Sequence, residues 1–157
     1  MLISEEHKSK FYKLHISDPE YGGESVEYSP IISNIINQTR VDTVLDYGAG
    51  KGELARNLTL DHRVAVHLYD PSLPDISDTP DPQQLTVCIN VLEYVEAEYL
   101  GEVLDDLKRC TEYMTFIVIT EDERKMEDWL PKIMARFRVE SLVRDNQDFY
   151  VVATNVH

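Results

Sequence analysis

A chain of 157 residues that is 43% apolar can bury one hydrophobic core, and its size argues for a single domain. Fifteen Lys and Arg against 29 Asp and Glu give a formal charge of −14, which works against a phosphate backbone and makes nucleic acid a disfavoured partner. No apolar run approaches the length of a membrane span, the acidic N-terminus is unlike a leader, and the two cysteines, Cys88 and Cys110, suit a reduced cytoplasmic protein better than a disulfide scaffold.

Residues 1–27 read as a short helix followed by an irregular segment with His7, Tyr12, His15 and Tyr21. That polar and aromatic mixture suits a flap over a site, and equally packing at a domain edge. Ser29-Pro30 opens a helix, with serine as its cap and proline in the first turn. Ile31, Ile32, Ile35 and Ile36 recur at helical spacing and form its buried stripe. Residues 41–45 form a short apolar strand that runs into Asp46 and a glycine cluster. A helix over 53–60 follows, then a strand over 64–69 that ends at Asp70-Pro71. Residues 72–84, rich in Pro, Asp and Ser, read as loop.

Further strands are expected over 85–91 and 114–119, separated by a helix over 96–110. A helix over 126–135 turns Trp129, Leu130, Ile133 and Met134 inward. The segments 137–143 and 149–153 form a hairpin about the turn 144–147. Alternating strands and helices predict an α/β, Rossmann-like fold: a mostly parallel sheet with helices on both faces and a C-terminal antiparallel hairpin. The organisation expected is an N-terminal helix and flap (1–27) on one ligand-binding domain (28–157). The hairpin edge would allow a homodimer without requiring one.

The sharpest feature is Val44-Leu45-Asp46-Tyr47-Gly48-Ala49-Gly50-Lys51-Gly52. A strand that turns at once into a helix needs residues tolerant of positive φ, and glycine also lets a ligand approach the backbone. A tight turn with no ligand would use the same residues. Gly52 is followed by Glu53 rather than Lys-Ser/Thr, so this is not a P-loop, and the G-x-G-x-G spacing is not the dinucleotide G-x-G-x-x-G. Two carboxylates, Asp46 and Glu53, would repel a pyrophosphate; Asp46 is better placed for an amino group.

This stretch resembles the first motif of class I S-adenosylmethionine-dependent methyltransferases, a hydrophobic residue followed by L-D-x-G-x-G-x-G. The resemblance implies a cofactor site formed by Asp46, Tyr47, Gly48, Ala49, Gly50 and Gly52, with Asp46 placing the methionine ammonium. It implies further that Asp70, with Pro71, meets the ribose. The run 87–95 is similar to the family's fourth-strand motif, which implies that Asn90 and Val91 line the methionine end. Asn90 stands where Asp is commoner, and Tyr94 stands where a base-forming His is often seen. The dozen or so residues after Asp70 cannot hold the usual helix and third strand, so a trimmed sheet is expected. A fainter likeness is to small bacteriophage methyltransferase-like proteins.

The resemblance implies methyl transfer from S-adenosylmethionine to a small-molecule or protein acceptor. Cleavage or sequestration of the same cofactor, or a non-catalytic partner that keeps the fold, are the alternatives. Candidate bases are His15, Tyr12, Tyr21 and Tyr94, each equally suited to packing. No metal site is expected, because the histidines are dispersed and the cysteines do not form a C-x-x-C pair.

Overall fold

The computed structural model describes residues 3–17 and 23–155. Its elements are α1 (Glu5–Ser17), a 3₁₀ segment (Gly23–Tyr28), α2 (Ser29–Thr39), β1 (Thr43–Tyr47), α3 (Glu53–Arg56), β2 (Ala65–Tyr69), β3 (Gln83–Ile89), α4 (Leu100–Cys110), β4 (Thr111–Thr120), α5 (Met126–Met134), β5 (Phe137–Asp145) and β6 (Asp148–Asn155). The six strands form one sheet in the order β2-β1-β3-β4-β6-β5. β2, β1, β3 and β4 are parallel, while β6 runs antiparallel between β4 and β5. The expected parallel sheet, terminal hairpin and missing third strand are all present: β2 is an edge, and residues 70–82 hold only a 3₁₀ turn at Pro74–Ile76.

Period-two alternation divides the core between the two faces of the sheet. Leu45, Cys88 and Ile117 point to one face, where Val103, Leu104 and Leu107 of α4 and Trp129 and Ile133 of α5 cover them. Val44, Val87 and Phe116 point to the other, under Ile32 and Ile36 of α2 and Leu54 of α3. Each of these buried aliphatic side chains contributes about 1.5–3 kcal/mol relative to exposure. Helices thus lie on both faces, and β1, one strand in from the β2 edge, has both of its faces buried.

Three local expectations are corrected. The helix expected over 53–60 stops at Arg56, because α2 captures the following backbone: Ser33 Oγ accepts from Thr59 N, and Asn37 Nδ2 donates to Thr59 O. Ser29 is no cap; its hydroxyl donates to Val26 O, because the 3₁₀ segment runs directly into α2 and leaves no open helix end. Met134 is 60% exposed rather than inward, since α5 buries only Trp129 and Ile133.

Candidate functional site

The chain leaves β1 toward β2 on one side, then crosses to β3 on the other. In an open α/β sheet such a reversal leaves a crevice at the carboxyl ends of the strands, where ligands bind. A cavity of about 300 Å³ lies there, within the size range of small-molecule sites. Gly48, Ala49 and Gly50 after β1, Asp70, Pro71 and Ser72 after β2, and Ile89, Asn90 and Val91 at the end of β3 form its walls. Thr120 at the end of β4 and Asp148 at the start of β6 close the far end. Phe11 and His15 of α1 cover it.

The loop after β1 takes three positive φ values, 88° at Gly48, 55° at Gly50 and 75° at Gly52, which explains glycine at each. Its amides do not form an anion nest. Gly48 N and Ala49 N both donate to Tyr69 O, Gly50 N donates to Asp70 Oδ2 at 3.1 Å, and Gly52 N donates to Ala49 O. A phosphate would find these four donors occupied, and the four-residue α3 offers little dipole. The room left by the missing side chains is also used by the protein itself. A Cβ on Gly48 would lie 2.4 Å from Val91 Cγ2, and one on Gly50 would lie 2.9 Å from His15 Cε1.

Two buried carboxylates set the electrostatics. The pKa of Asp46, 4% exposed, is pushed up to about 7 by burial and then by the charge of Asp70, and among the described residues no hydrogen bond stabilises its ionised form. Asp70 is 8% exposed, and its Oδ1 accepts from Ser72 N at 2.9 Å and Ser72 Oγ at 2.6 Å. Oδ2 accepts from Gly50 N, its one hydrogen bond among the described residues, with His15 Nε2 4.0 Å away. Burial lowers the pKa of His15, opposed by Asp70 and assisted by Lys51. With Glu27 and Asp148, the cavity wall carries four carboxylates and, among the described residues, no Lys or Arg. Such a cavity favours a cation.

The far end is held by one hydrogen-bonded chain. Tyr28 OH and Thr120 Oγ1 donate to the two oxygens of Asp148, each at 2.6 Å. Asn90 Nδ2 donates to Thr120 Oγ1 at 2.8 Å and to Glu93 Oε2 at 2.9 Å, which turns the amide oxygen of Asn90 away from both. Glu93 Oε2 also accepts from Thr120 N, while burial pushes its carboxyl up. Burial, followed by the bond to Asp148, pushes the Tyr28 phenol well above its ordinary range, so it stays protonated.

No protein-family model matches the chain, and no curated protein sequence matches it. Solved structures do. Magnesium protoporphyrin IX methyltransferase (ChlM) from Synechocystis PCC 6803, crystallised with bound S-adenosylmethionine, superposes with a TM-score of 0.74 at 12% identity, over 99% of this chain and 100% of that one. The 1,6-didemethyltoxoflavin-N1-methyltransferase of Burkholderia thailandensis gives 0.72 at 14% identity, over 100% and 92%. The 16S rRNA methylase RmtB gives 0.63 at 14% identity, over 99% and 77%. The chain has the class I methyltransferase fold. At these identities the likeness concerns the fold alone, and the three acceptors, a porphyrin, a small heterocycle and an RNA, show how little that fold restricts the acceptor.

Within this methyltransferase fold, most of the sequence candidates meet in one place. Asp46, Gly48, Ala49, Gly50, Asp70, Pro71, Asn90 and Val91 all line the cavity. Two others do not. Tyr47 points into the core, where its hydroxyl donates to Asp106 Oδ2 at 2.7 Å and its ring packs on Tyr69. Gly52 faces Leu68. Of the candidate bases, His15 is in the cavity wall, Tyr94 is at the rim and 55% exposed, Tyr12 is 41% exposed and outside the wall, and Tyr21 lies outside the described residues. Sequence reasoning missed Tyr28, Ser72, Thr120 and Asp148. Only Asp148 carried any signal, as a carboxylate beside a turn.

Proposed function

We propose that this protein binds S-adenosylmethionine in the cavity and transfers its methyl group to a small-molecule or protein acceptor. The observation that carries this reading is Asp46, a buried carboxylate with no hydrogen-bond donor among the described residues, lining an acidic cavity at the switch point of a methyltransferase fold. The cofactor fits that donor set, since its ammonium and sulfonium are cationic and the cavity offers carboxylates in place of free loop amides.

Asp46 would hold the ammonium, whose charge offsets the burial penalty that otherwise keeps the carboxyl near neutrality. Asp70 would take a ribose hydroxyl on Oδ2 while Ser72 fixes the other oxygen. Ile89, Val91 and Val95 exclude water around the reacting end. The cofactor supplies an electrophilic sulfonium methyl, so the work of the chain is alignment more than acid–base chemistry. Where the acceptor must lose a proton, Asp148, fixed by Tyr28 and Thr120, is the carboxylate at that end of the cavity. The formal charge of −14 favours a small molecule or a protein over nucleic acid.

The experiment is incubation with methyl-labelled S-adenosylmethionine and a fractionated cell extract. Label in an acceptor supports transfer. Label only in fragments of the cofactor replaces transfer with cleavage.

A further inference from the structure

His15 enters the sequence reading as a candidate base, yet it sits at the wrong end of the cavity for that role. The hydrogen-bonded chain of Asp148, Thr120 and Asn90 marks the far end, whereas the His15 ring rests on Gly50 and faces the ionic side of Asp70. Its side chain is only 8% exposed, although α1 has no fully buried residue. The ring therefore fills space that the rest of the helix does not need filled.

Two features make that position consequential. First, the positive φ of Gly50 and its bare Cα are what allow a ligand close to the loop, and His15 Cε1 already stands 2.9 Å from where a Cβ would be. Second, among the described residues Asp70 Oδ2 accepts a hydrogen bond from Gly50 N alone, and His15 Nε2 stands 4.0 Å from that same oxygen. A nucleoside lying against Gly50 and bonding Asp70 would occupy the same volume as the imidazole.

We propose that His15 is a placeholder in the cofactor cradle: α1 and the nucleoside compete for Gly50 and Asp70, and binding requires the imidazole to leave. This rests on the reading of the cavity as an S-adenosylmethionine site. Among the described residues α1 buries none fully, so little apolar surface opposes the exchange. Besides His15, its ties to the domain include Ser4 N donating to Glu96 Oε1 at 2.9 Å, His7 Nδ1 3.5 Å from the same oxygen, and the edge of Phe11 on Tyr94 at 6.4 Å between centroids. Elements that bury so little open at a small fraction of the global stability. Removing the competing state raises apparent affinity by the reciprocal of the fraction of molecules that stood open.

The test compares wild type, His15→Ala and Glu96→Gln, the last of which loosens α1 without touching the cavity wall. Titration with S-adenosylmethionine and S-adenosylhomocysteine is expected to give about tenfold tighter binding for His15→Ala, a smaller gain for Glu96→Gln, and faster association for both. Weaker binding by His15→Ala would overturn the proposal, because the imidazole would then be a contact of the bound nucleoside. A second readout needs no cofactor: exchange of the Gly50 amide hydrogen, which is bonded to Asp70 Oδ2 next to the imidazole, should quicken about tenfold in His15→Ala once the ring no longer covers that bond. Unchanged exchange would overturn the placeholder role. Quickened exchange with no binding by any variant would leave that role standing and refute the cofactor reading instead.

Discussion

Replacing Asp46 by Asn should make the empty protein more stable and the loaded one weaker. The substitution preserves shape and removes a charge that burial and Asp70 both oppose. A carboxyl whose pKa is higher in the fold than in the open chain binds its proton more tightly when folded. Its contribution is therefore favourable below about pH 4 and is lost as the pH climbs through 7. The rise from 3.8 to about 7 corresponds to roughly 4 kcal/mol, fully felt above neutrality. Asp46→Asn should match wild type near pH 4.5 and gain about 2–4 kcal/mol at pH 8, the lower figure allowing for the new amide protons left facing the cavity. Urea unfolding followed by circular dichroism reads this as a midpoint shift of roughly 1–2 M for a slope of about 2 kcal/mol per molar. At pH 8 the same variant should bind S-adenosylmethionine at least tenfold more weakly. Equal pH slopes for the two proteins between 4.5 and 7 would refute the reasoning, since Asp46 would then not titrate as a buried, unassisted carboxyl.

Three further outcomes follow from the geometry. Gly48→Ala must hold a φ of 88° with a Cβ 2.4 Å from Val91, so it should lose about 2–4 kcal/mol of stability; recovery in Gly48→Ala with Val91→Ala would tie part of that loss to the contact, as a two-by-two unfolding comparison reads. Asp148→Asn keeps an acceptor oxygen for only one of the Tyr28 and Thr120 hydroxyls and turns an amide NH2 toward the other, so it should cost about 1–2 kcal/mol in denaturant, while Tyr28→Phe, which removes one donor, should cost less. Cofactor affinity should fall about tenfold per pH unit below 7, as protons compete with the ammonium for Asp46; calorimetry in buffers of different ionisation heat should show about one proton released on binding near pH 6.

Much of this architecture was legible because the local signals agreed with the global fold. The strand into Asp46, the glycines demanding positive φ, the isoleucine stripe of α2 and the spacing between Asp46 and Asp70 each pointed the same way. Where tertiary contacts override propensity, sequence gave no warning. Leu58 and Leu60 pack against the sheet in non-helical chain because Ser33 and Asn37 hold the Thr59 backbone. Val91 reads as the end of a strand, yet Asn90 turns at a φ of 54° and sends Val91 into the space beside Gly48. The acceptor end was invisible for a different reason. Tyr28, Thr120 and Asp148 come from three separate elements, and only the antiparallel return of β6 brings Asp148 to the carboxyl end of β4. His15 was visible as a residue but not as a place, because its role depends on which part of the cavity α1 crosses.

The most direct test of the cavity's assignment is equilibrium dialysis of the full chain against labelled S-adenosylmethionine at pH 7.5. Saturable binding of one molecule per chain in the micromolar range, abolished by Asp70→Ala, is the result expected. Absence of saturable binding up to millimolar concentration, in wild type and in His15→Ala alike, would contradict it.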